Sequence, residues 1–566
     1  MKSVVISALK EALSKLNVAI SEKDLEFHIE IPPSIDKGDF AFPCFFLAGR
    51  LREDPKKIAL KVKEALGEAK SFEKISAEGP YVNFFLDRKG EAKSALFKVL
   101  NEKDSYGRSE IGANTKTMVE FPSPNTNKPL HLGHLRNMSI GESVSRILEF
   151  SNERVIRSNL NNDRGIHICK SMLAYRKWGK NKKPSKKLKS DHLVGDFYVL
   201  FAKNAALDKT LEEEAQNMLL KWEAGERKTI GLANKMNAWA LKGFKETYKK
   251  FGIKHDKEYY ESKLYTKGKE MIYDGLNKGI FSKEEDGSIV ADLSKEGLGK
   301  KHLLRADGTS IYITQDIYLA KLKFDEHKIM KSIYVVGNEQ DHHFRVLFSI
   351  LDKLNLAKKE NLHHLSYGMV NLPEGKMKSR EGNVVDADDL ISEVRNLVKW
   401  QLDSKSKLKK LELDKRSLKI ALAAIKYMLL KIDTRKEMMF NPKESISFEG
   451  DTGPYLLYSY ARASSILKKS KKKQKLEFDS LEEKEIELAK KISQFPDVVS
   501  SSYKSLNPSL IANYSYQLSQ TFNEFYHAYP VLDSEKEPFR LFLVAAFRQT
   551  LKNALKLLGI ETLEQM

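Results

Sequence analysis

Residues 117–148, TMVEFPSPNTNKPLHLGHLRNMSIGESVSRIL, constrain the fold more than any other stretch of this chain. Thr117 to Phe121 is a short β-favouring run. Ser123-Pro124-Asn125 ends it, because proline fixes φ and donates no ladder hydrogen bond. Past Pro129 comes His131-Leu132-Gly133-His134, after which Ile140, Val144, Ile147 and Leu148 recur at helical spacing. A second β-favouring run lies at Arg154 to Arg157. Strand, helix and strand make a β-α-β unit, and the helix N-terminus above such a strand is a natural anion site. Two imidazoles and a glycine stand where a nucleotide phosphate would lie.

Later segments extend the unit. Ser310 to Thr314 and Ser332 to Val336 read as further strands, each followed by polar residues and a helix. Strand, polar loop and helix in succession predict an α/β fold, a doubly wound, Rossmann-like parallel sheet with ligands beyond the strand carboxyl ends. This domain spans 113–390. The lysine-rich stretch RKWGKNKKPSKKLK at 176–189 interrupts it, and 180–300 reads as a largely helical insertion between two halves of the sheet. Residues 1–112 alternate amphipathic helices with short strands, which predicts an α+β module. Examples are a helix over 53–66 ending at Gly67 and the turn-plus-strand GPYVNFFL at 79–86. Beyond 390 the pattern is helical, with a connector at 391–450 and an α-helical bundle at 451–566. KKSKKKQK at 468–475 reads as a solvated loop between helices. No internal repeat of fixed period is evident.

Composition narrows the partners. A chain of 566 residues suggests about three to five domains. Its net charge of +20 favours a polyanionic partner, although a basic surface also serves solubility. The two cysteines, Cys44 and Cys169, form no Cys-x-x-Cys pair. That excludes a zinc ribbon or a disulfide framework and fits a reduced, cytoplasmic location. No apolar run approaches the roughly 18 residues that cross a bilayer, so no membrane partner is expected. Val5, Leu9, Leu13 and Leu16, interrupted by Lys10, Glu11 and Lys15, read as an amphipathic helix rather than a secretory signal.

Three segments carry candidate chemistry. At His131-Leu132-Gly133-His134 a zinc reading fails, since the acidic partner of a His-Glu-x-x-His helix is absent and no cysteine is near. Two readings remain: histidines satisfied by backbone groups at a helix start, or imidazoles that steady a pentacovalent phosphorus as charge moves toward leaving pyrophosphate. Gly133, lacking Cβ, would let the backbone approach a purine closely. Gly375-Lys376-Met377-Lys378-Ser379-Arg380-Glu381-Gly382-Asn383 follows a strand-like run at 365–372. It is either a cationic loop suited to closing over a triphosphate or a surface turn with scattered lysines. Tyr455, Tyr458 and Arg462 share one helix face. Such residues stack on splayed bases and pair with phosphate, or they form an aromatic core stripe. The run Tyr514, Leu518, Phe522, Phe525 and Tyr529 reads as core.

Together, HxGH on the first βα turn and a Lys-Met loop after a late strand resemble the paired signature of class I aminoacyl-tRNA synthetases. The stretch from Glu120 to Asn137, the run Gly453 to Arg462, and Leu541 to Ile560 with Arg548 to Lys552 resemble arginyl-tRNA synthetases. Gly38-Asp39-Phe40-Ala41 and Gly79 to Leu86 are similar to that family's N-terminal module. The resemblance covers nearly the whole chain, in the same module order. It implies an arginine–tRNA ligase: the arginine carboxylate attacks the α-phosphate of ATP, and the 2′-hydroxyl of the terminal adenosine of tRNA(Arg) takes the arginyl group from the adenylate.

The resemblance also implies roles. His131, His134, Lys376 and Lys378 serve catalysis, and His131, Gly133, His134, Met377 and Ser379 bind ATP. Glu120, Ser123, Asn125, His134, Tyr312, Asp316 and Gln340 surround arginine, and Tyr455, Tyr458 and Arg462 contact tRNA. A guanidinium is a rigid fork of donors, so its pocket needs a carboxylate and neighbouring acceptors. Tyr312 and Asp316 stand four apart at a strand-to-helix junction, where Asp316 alone would read as a helix N-cap. Hydrogen bonds to so distinctive a group reject analogues strongly, so no editing domain is expected. Mg²⁺ is expected to accompany ATP without a dedicated protein cage, with no zinc and a monomeric chain. The mobile loop departs from the class pattern, with Lys378 and Ser379 in swapped order and Ser379 at the usual second lysine position. Many arginyl enzymes lack that lysine, and the family needs bound tRNA before it activates arginine; the same is expected here. The alternatives are a class I synthetase for another amino acid and a non-catalytic tRNA-binding paralogue.

Overall fold

The structure, a computed structural model, describes residues 2–30, 32, 37–67, 72–86, 88–265, 267–309, 311–373, 385–403, 409–478 and 480–566. It divides into two compact units. The first comprises Met1–Lys103, Lys471–Ser493 and Glu524–Ala546. Its sheet is antiparallel, with β1 (Phe40–Pro43), β2 (Phe72–Glu78) and β3 (Tyr81–Leu86) in the order β1-β3-β2. Val5, Leu9 and Leu13 from the helix Lys2–Lys15 join Phe42, Val82 and Phe84 in one core, as their amphipathic spacing requires. The helix Pro55–Leu66 starts where Asp54 accepts from the Lys56 N–H and ends at Gly67. Gly38 has φ +98°, and a Cβ there would lie 2.9 Å from the Phe84 carbonyl oxygen, so only glycine fits. The next residue, Asp39, is buried and pairs with Lys490 at 3.0 Å.

The second unit comprises Asp104–Ser470, Gln494–Asn523 and Phe547–Met566. It supplies β4 (Lys116–Glu120), β5 (Arg154–Asn161), β6 (Lys257–Tyr260), β7 (Ser282–Lys283), β8 (Ile289–Asp292), β9 (Lys300–Leu304), β10 (Lys331–Gly337), β11 (Leu362–Tyr367), β12 (Val370–Asn371) and β13 (Met438–Met439). The central sheet is parallel throughout, in the order β11-β10-β4-β5-β6. That order reverses between β4 and β10, which opens a crevice at their carboxyl ends. The helix Leu132–Phe150 crosses from β4 to β5 and is buried on almost every side. It lies close to the sheet because Gly141 has no side chain; a Cβ there would fall 2.4 Å from the Phe121 ring.

Two sequence readings are corrected here. Residues 180–300 are not one insertion. Helices Ser190–Ala205, Thr210–Glu223 and Arg227–Phe251 form its helical part, but β6 then returns to the central sheet as its edge, pairing with Ser158 to Asn161. Tyr259 holds it there, buried with Met118 and Leu264. Beyond it, β7, β8 and β9 form a separate antiparallel sheet. The second correction concerns 310–314, read as a strand. The helix Tyr312–His327 occupies it, with Ser310 outside the described residues. Ile313, Ile317 and Ala320 bury together at helical spacing, and that packing overrides the local β-branched preference.

The remaining chain is helical. Ala387–Asp403 packs on Lys410–Leu430, and Lys410–Leu430 on Gly453–Lys469. Tyr514, Leu518, Phe522 and Phe525 are buried, as their spacing indicates, whereas Tyr529 lies past the end of the helix Ser509–Ala528 and is only half-buried. No described helix is long and apolar enough to cross a membrane.

Candidate active site

A cleft of about 990 Å³ opens at the switch point of the parallel sheet. Glu120 at the end of β4, Gly337 at the end of β10 and Tyr367 at the end of β11 line it, with His131, Gly133 and His134 at the start of the helix Leu132–Phe150. The His131 backbone N–H donates to His134 Nδ1 at 3.1 Å, and the two rings lie 3.8 Å apart. That bond leaves the His134 ring proton on Nε2. Burial, with Lys128 nearby, lowers the His131 pKa to about 4. Burial, then His131 and Lys128, drives His134 well below the usual histidine range. Both imidazoles are therefore neutral near pH 7. At Gly133, a Cβ would stand 3.0 Å from the His131 ring, so the glycine makes room for that imidazole.

The chain that returns from the lysine-methionine segment runs antiparallel beside this motif. Leu132 donates to the Val385 carbonyl at 2.8 Å, and Ala387 to that of Leu130 at 2.9 Å. Lys376, Met377, Lys378 and Ser379 themselves lie outside the described residues.

Of the residues assigned to arginine, Glu120, Ser123, His134, Asp316 and Gln340 line the cleft. Asn125 and Tyr312 do not. Tyr312 is 70% exposed on the first turn of its helix. Both line a second cavity of about 300 Å³, with Arg164 and Glu261, and Asp316 belongs to the wall that the two cavities share. Ser123 is held by its neighbours: its N–H donates to Asn159 Oδ1 at 3.1 Å, and its carbonyl accepts from Asn162 Nδ2 at 2.9 Å.

Sequence reasoning missed the partners of the two carboxylates. Lys323 Nζ lies 2.5 Å from Glu120 Oε2, with both side chains buried. Burial opposes the Lys323 charge, but Glu120 and Tyr334 outweigh it and raise its pKa. His343 Nε2 lies 2.8 Å from Asp316 Oδ2. A signal for Lys323 existed: it stands two turns from Asp316, on a helix whose neighbouring positions Ile313, Ile317 and Ala320 are apolar. Also missed were Glu261, whose carboxyl burial pushes up to about 7, and Asn137, which donates to the Val335 carbonyl at 2.7 Å.

Among the described residues, Asp191, His192 and Asp388 bring ligand-type atoms within 4.8 Å of one another. Lys189 Nζ stands 3.0 Å from Asp191 and 2.6 Å from Asp388, and Lys250 Nζ 2.6 Å from Asp388. Ammonium groups thus hold the place a metal would take, and the cluster is an ion-pair network.

Tyr455, Tyr458 and Arg462 do share one face of the helix Gly453–Lys469. Arg462 donates to Tyr458 Oη at 3.0 Å and to Asn523 Oδ1 at 2.7 Å, and Asn523 donates to Tyr455 Oη at 2.8 Å. Tyr458, 40% exposed, is the outermost member.

Comparison with known proteins gives three matches in chain order. Residues 3–86 match the arginyl tRNA synthetase N terminal domain, 95–441 the catalytic domain of class I (R) tRNA synthetases, and 456–566 the DALR anticodon binding domain. The chain belongs to the arginyl-tRNA synthetase family. An arginine–tRNA ligase of Treponema denticola is 47% identical over 560 residues, covering 96% of this chain and 95% of its own. One of Borrelia hermsii is 42% identical over 588 residues, covering 100% of each. The arginyl-tRNA synthetase of Thermus thermophilus superposes with a TM-score of 0.83 and 25% identity over 100% of both chains. An arginyl-tRNA synthetase from Plasmodium falciparum gives 0.80 at 22% identity, covering 100% of this chain and 99% of its own. In this arginyl-tRNA synthetase the cleft at the switch point therefore lies inside the matched catalytic domain.

Proposed function

We propose that this arginine–tRNA ligase holds the arginine guanidinium at Asp316 and lays the phosphates of ATP over the N-terminus of the helix Leu132–Phe150. The observation that carries the reading is the position of Asp316. It stands on the wall common to both cavities, with Glu120 and Gln340 on one side and Asn125 and Tyr312 on the other. A planar fork bound there meets acceptors from both directions. The α-carboxylate then points toward the histidines. Its attack on the α-phosphate forms the mixed anhydride and expels pyrophosphate, while His131 and His134 donate hydrogen bonds to oxygens that gain charge. Catalysis is positioning and charge stabilisation, with no covalent enzyme intermediate. Mg²⁺ travels with the ATP phosphates and needs no protein cage of its own.

Transfer follows when the 2′-hydroxyl of the terminal adenosine attacks the activated carbonyl and releases AMP. Tyr455, Tyr458 and Arg462 hold tRNA(Arg), the modules at 1–112 and 451–566 supply RNA-binding surface, and arginine activation waits for tRNA. The enzyme works as a cytoplasmic monomer, in keeping with its two buried, unpaired cysteines. Asp316→Ala tests the pocket. It should raise KM for arginine about 100-fold or more, the worth of a lost charge-assisted pair, and leave KM for ATP within about threefold. Equal losses for both substrates would refute the assignment.

A further inference from the structure

Glu120 ends β4 directly beside Tyr334 of β10, its partner in the sheet register. It is 5% exposed, and Lys323, which faces it from the helix Tyr312–His327, is 0% exposed. Lys323 Nζ lies 2.5 Å from Glu120 Oε2 and 4.4 Å from the centre of the Tyr334 ring. Glu120, Lys323, Tyr334 and Asp316 all line the cleft. Tyr334 of β10 and Tyr259 of β6 are the other titratable groups facing the pair, with Asp316 a further charge and His343 behind it.

A buried ion pair is weak evidence for stability, because apolar residues of similar volume do as well or better. Its place on the wall of a cleft that takes a cation points to another use. A buried carboxylate with no cation beside it takes up a proton and can no longer bind a guanidinium as an anion.

We infer that Lys323 is a positioning residue of the arginine pocket, its buried ammonium holding one oxygen of Glu120 so that the carboxylate meets the substrate guanidinium charged and in a fixed orientation. The inference rests on the pocket proposed above. The ammonium and the guanidinium share one carboxylate, one on each side. Lys323 touches no reacting atom; it acts through Glu120. Lys323→Met, similar in length and uncharged, strips Glu120 of its cation.

The test is KM for arginine and for ATP in aminoacylation, measured at several pH values between about 6 and 9 for wild type, Lys323→Met, and Lys323→Met combined with Glu120→Gln. In Lys323→Met, KM for arginine should rise about 10- to 100-fold at pH 7, the worth of one charge-assisted hydrogen bond. The excess over wild type should shrink as the pH rises and Glu120 loses its proton, while KM for ATP moves by no more than about threefold. The double variant should keep the raised KM and lose the added pH dependence. A wild-type KM and profile in Lys323→Met would overturn the inference. If Lys323→Met fails to fold by circular dichroism, the double variant, which buries no lone charge, decides: a wild-type KM for arginine there overturns it. Asp316→Ala separates the two layers. If it raises KM for arginine and Lys323→Met does not, only the role of Lys323 falls; if it leaves that KM unchanged, the pocket itself falls and the inference with it.

Discussion

Arg136 stands two residues past His134 and is wholly buried, yet among the described residues it makes no ion pair with a carboxylate. Its guanidinium donates to three carbonyls: Met369 at 3.0 Å, Thr434 at 3.2 Å and Lys436 at 2.7 Å. Those carbonyls precede β12 and β13, which pair in parallel at Val370 and Met438. One side chain of the histidine helix thereby ties down the strand that leads into the lysine-methionine segment. Burial lowers the Arg136 pKa to about 10 from 12.5, with Tyr367, Asp433 and Glu437 acting the other way. Arg136→Met keeps the volume and removes all three donors. Each of these hydrogen bonds from a charged donor is worth about 2 kcal/mol, or about 6 together, although the Met369 and Thr434 carbonyls keep the N–H groups of Met438 and Gly368. Relief of the guanidinium's desolvation offsets about 3 kcal/mol, the size of its pKa depression at about 1.4 kcal/mol per unit. The net loss is about 3 kcal/mol. Urea titration followed by tryptophan fluorescence should show the transition of the catalytic unit move to lower urea. Because Met369 to Pro373 line the cleft, KM for ATP should rise more than KM for arginine. Arg136→Lys should recover less than half the stability, since one ammonium cannot reach carbonyls placed for a planar fork. A wild-type urea midpoint in Arg136→Met, or a rise confined to arginine KM, would refute the reasoning.

Three further outcomes are expected. Pyrophosphate exchange into ATP should be nearly silent with arginine alone and appear when tRNA(Arg) is added; a full rate without tRNA would show that the swapped Lys378 and Ser379 carry no such dependence. Tyr458→Ala should raise KM for tRNA about 5- to 50-fold, the worth of one base stacked on an exposed ring, and leave KM for arginine alone; an unchanged tRNA KM would remove Tyr458 from the interface. His255 is held to about pKa 4, mainly by burial, against about 6.5 unfolded. The unfolded state therefore binds the extra proton, so stability from this group is complete above pH 6.5 and is lost as the pH falls toward 4. At pH 5 the loss reaches about 2 kcal/mol, and the pH slope of the urea midpoint should be shallower in His255→Asn than in wild type by about one proton; parallel slopes would contradict it.

The parts of this molecule that could be read from the chain are those whose physics is local. β4, the helix Leu132–Phe150 and β5 follow from a β-run, a proline break and a helical apolar period within one short stretch. Asp54 and Gly67 bracket the helix Pro55–Leu66 by capping rules that need no distant partner. Where distant packing decides, local pattern misleads. Residues 310–314 look β-forming, but Ile313 and Ile317 find their core only as a helix. β6 is four residues long, and nothing in so short a run reveals that it completes the sheet. The same limit divides the site. Spacing places Tyr312 and Asp316 on one helix face, yet it cannot say which cavity that face borders; one residue meets the cleft and the other only its smaller neighbour. Nor can it show that Glu120 already holds a lysine and Asp316 a histidine. Selectivity for a cation depends on such prior pairing, since the charge left over after the protein's own cations are counted is the charge the substrate meets. A motif names the carboxylates that face a guanidinium, and the fold sets how much of their charge is free to bind it.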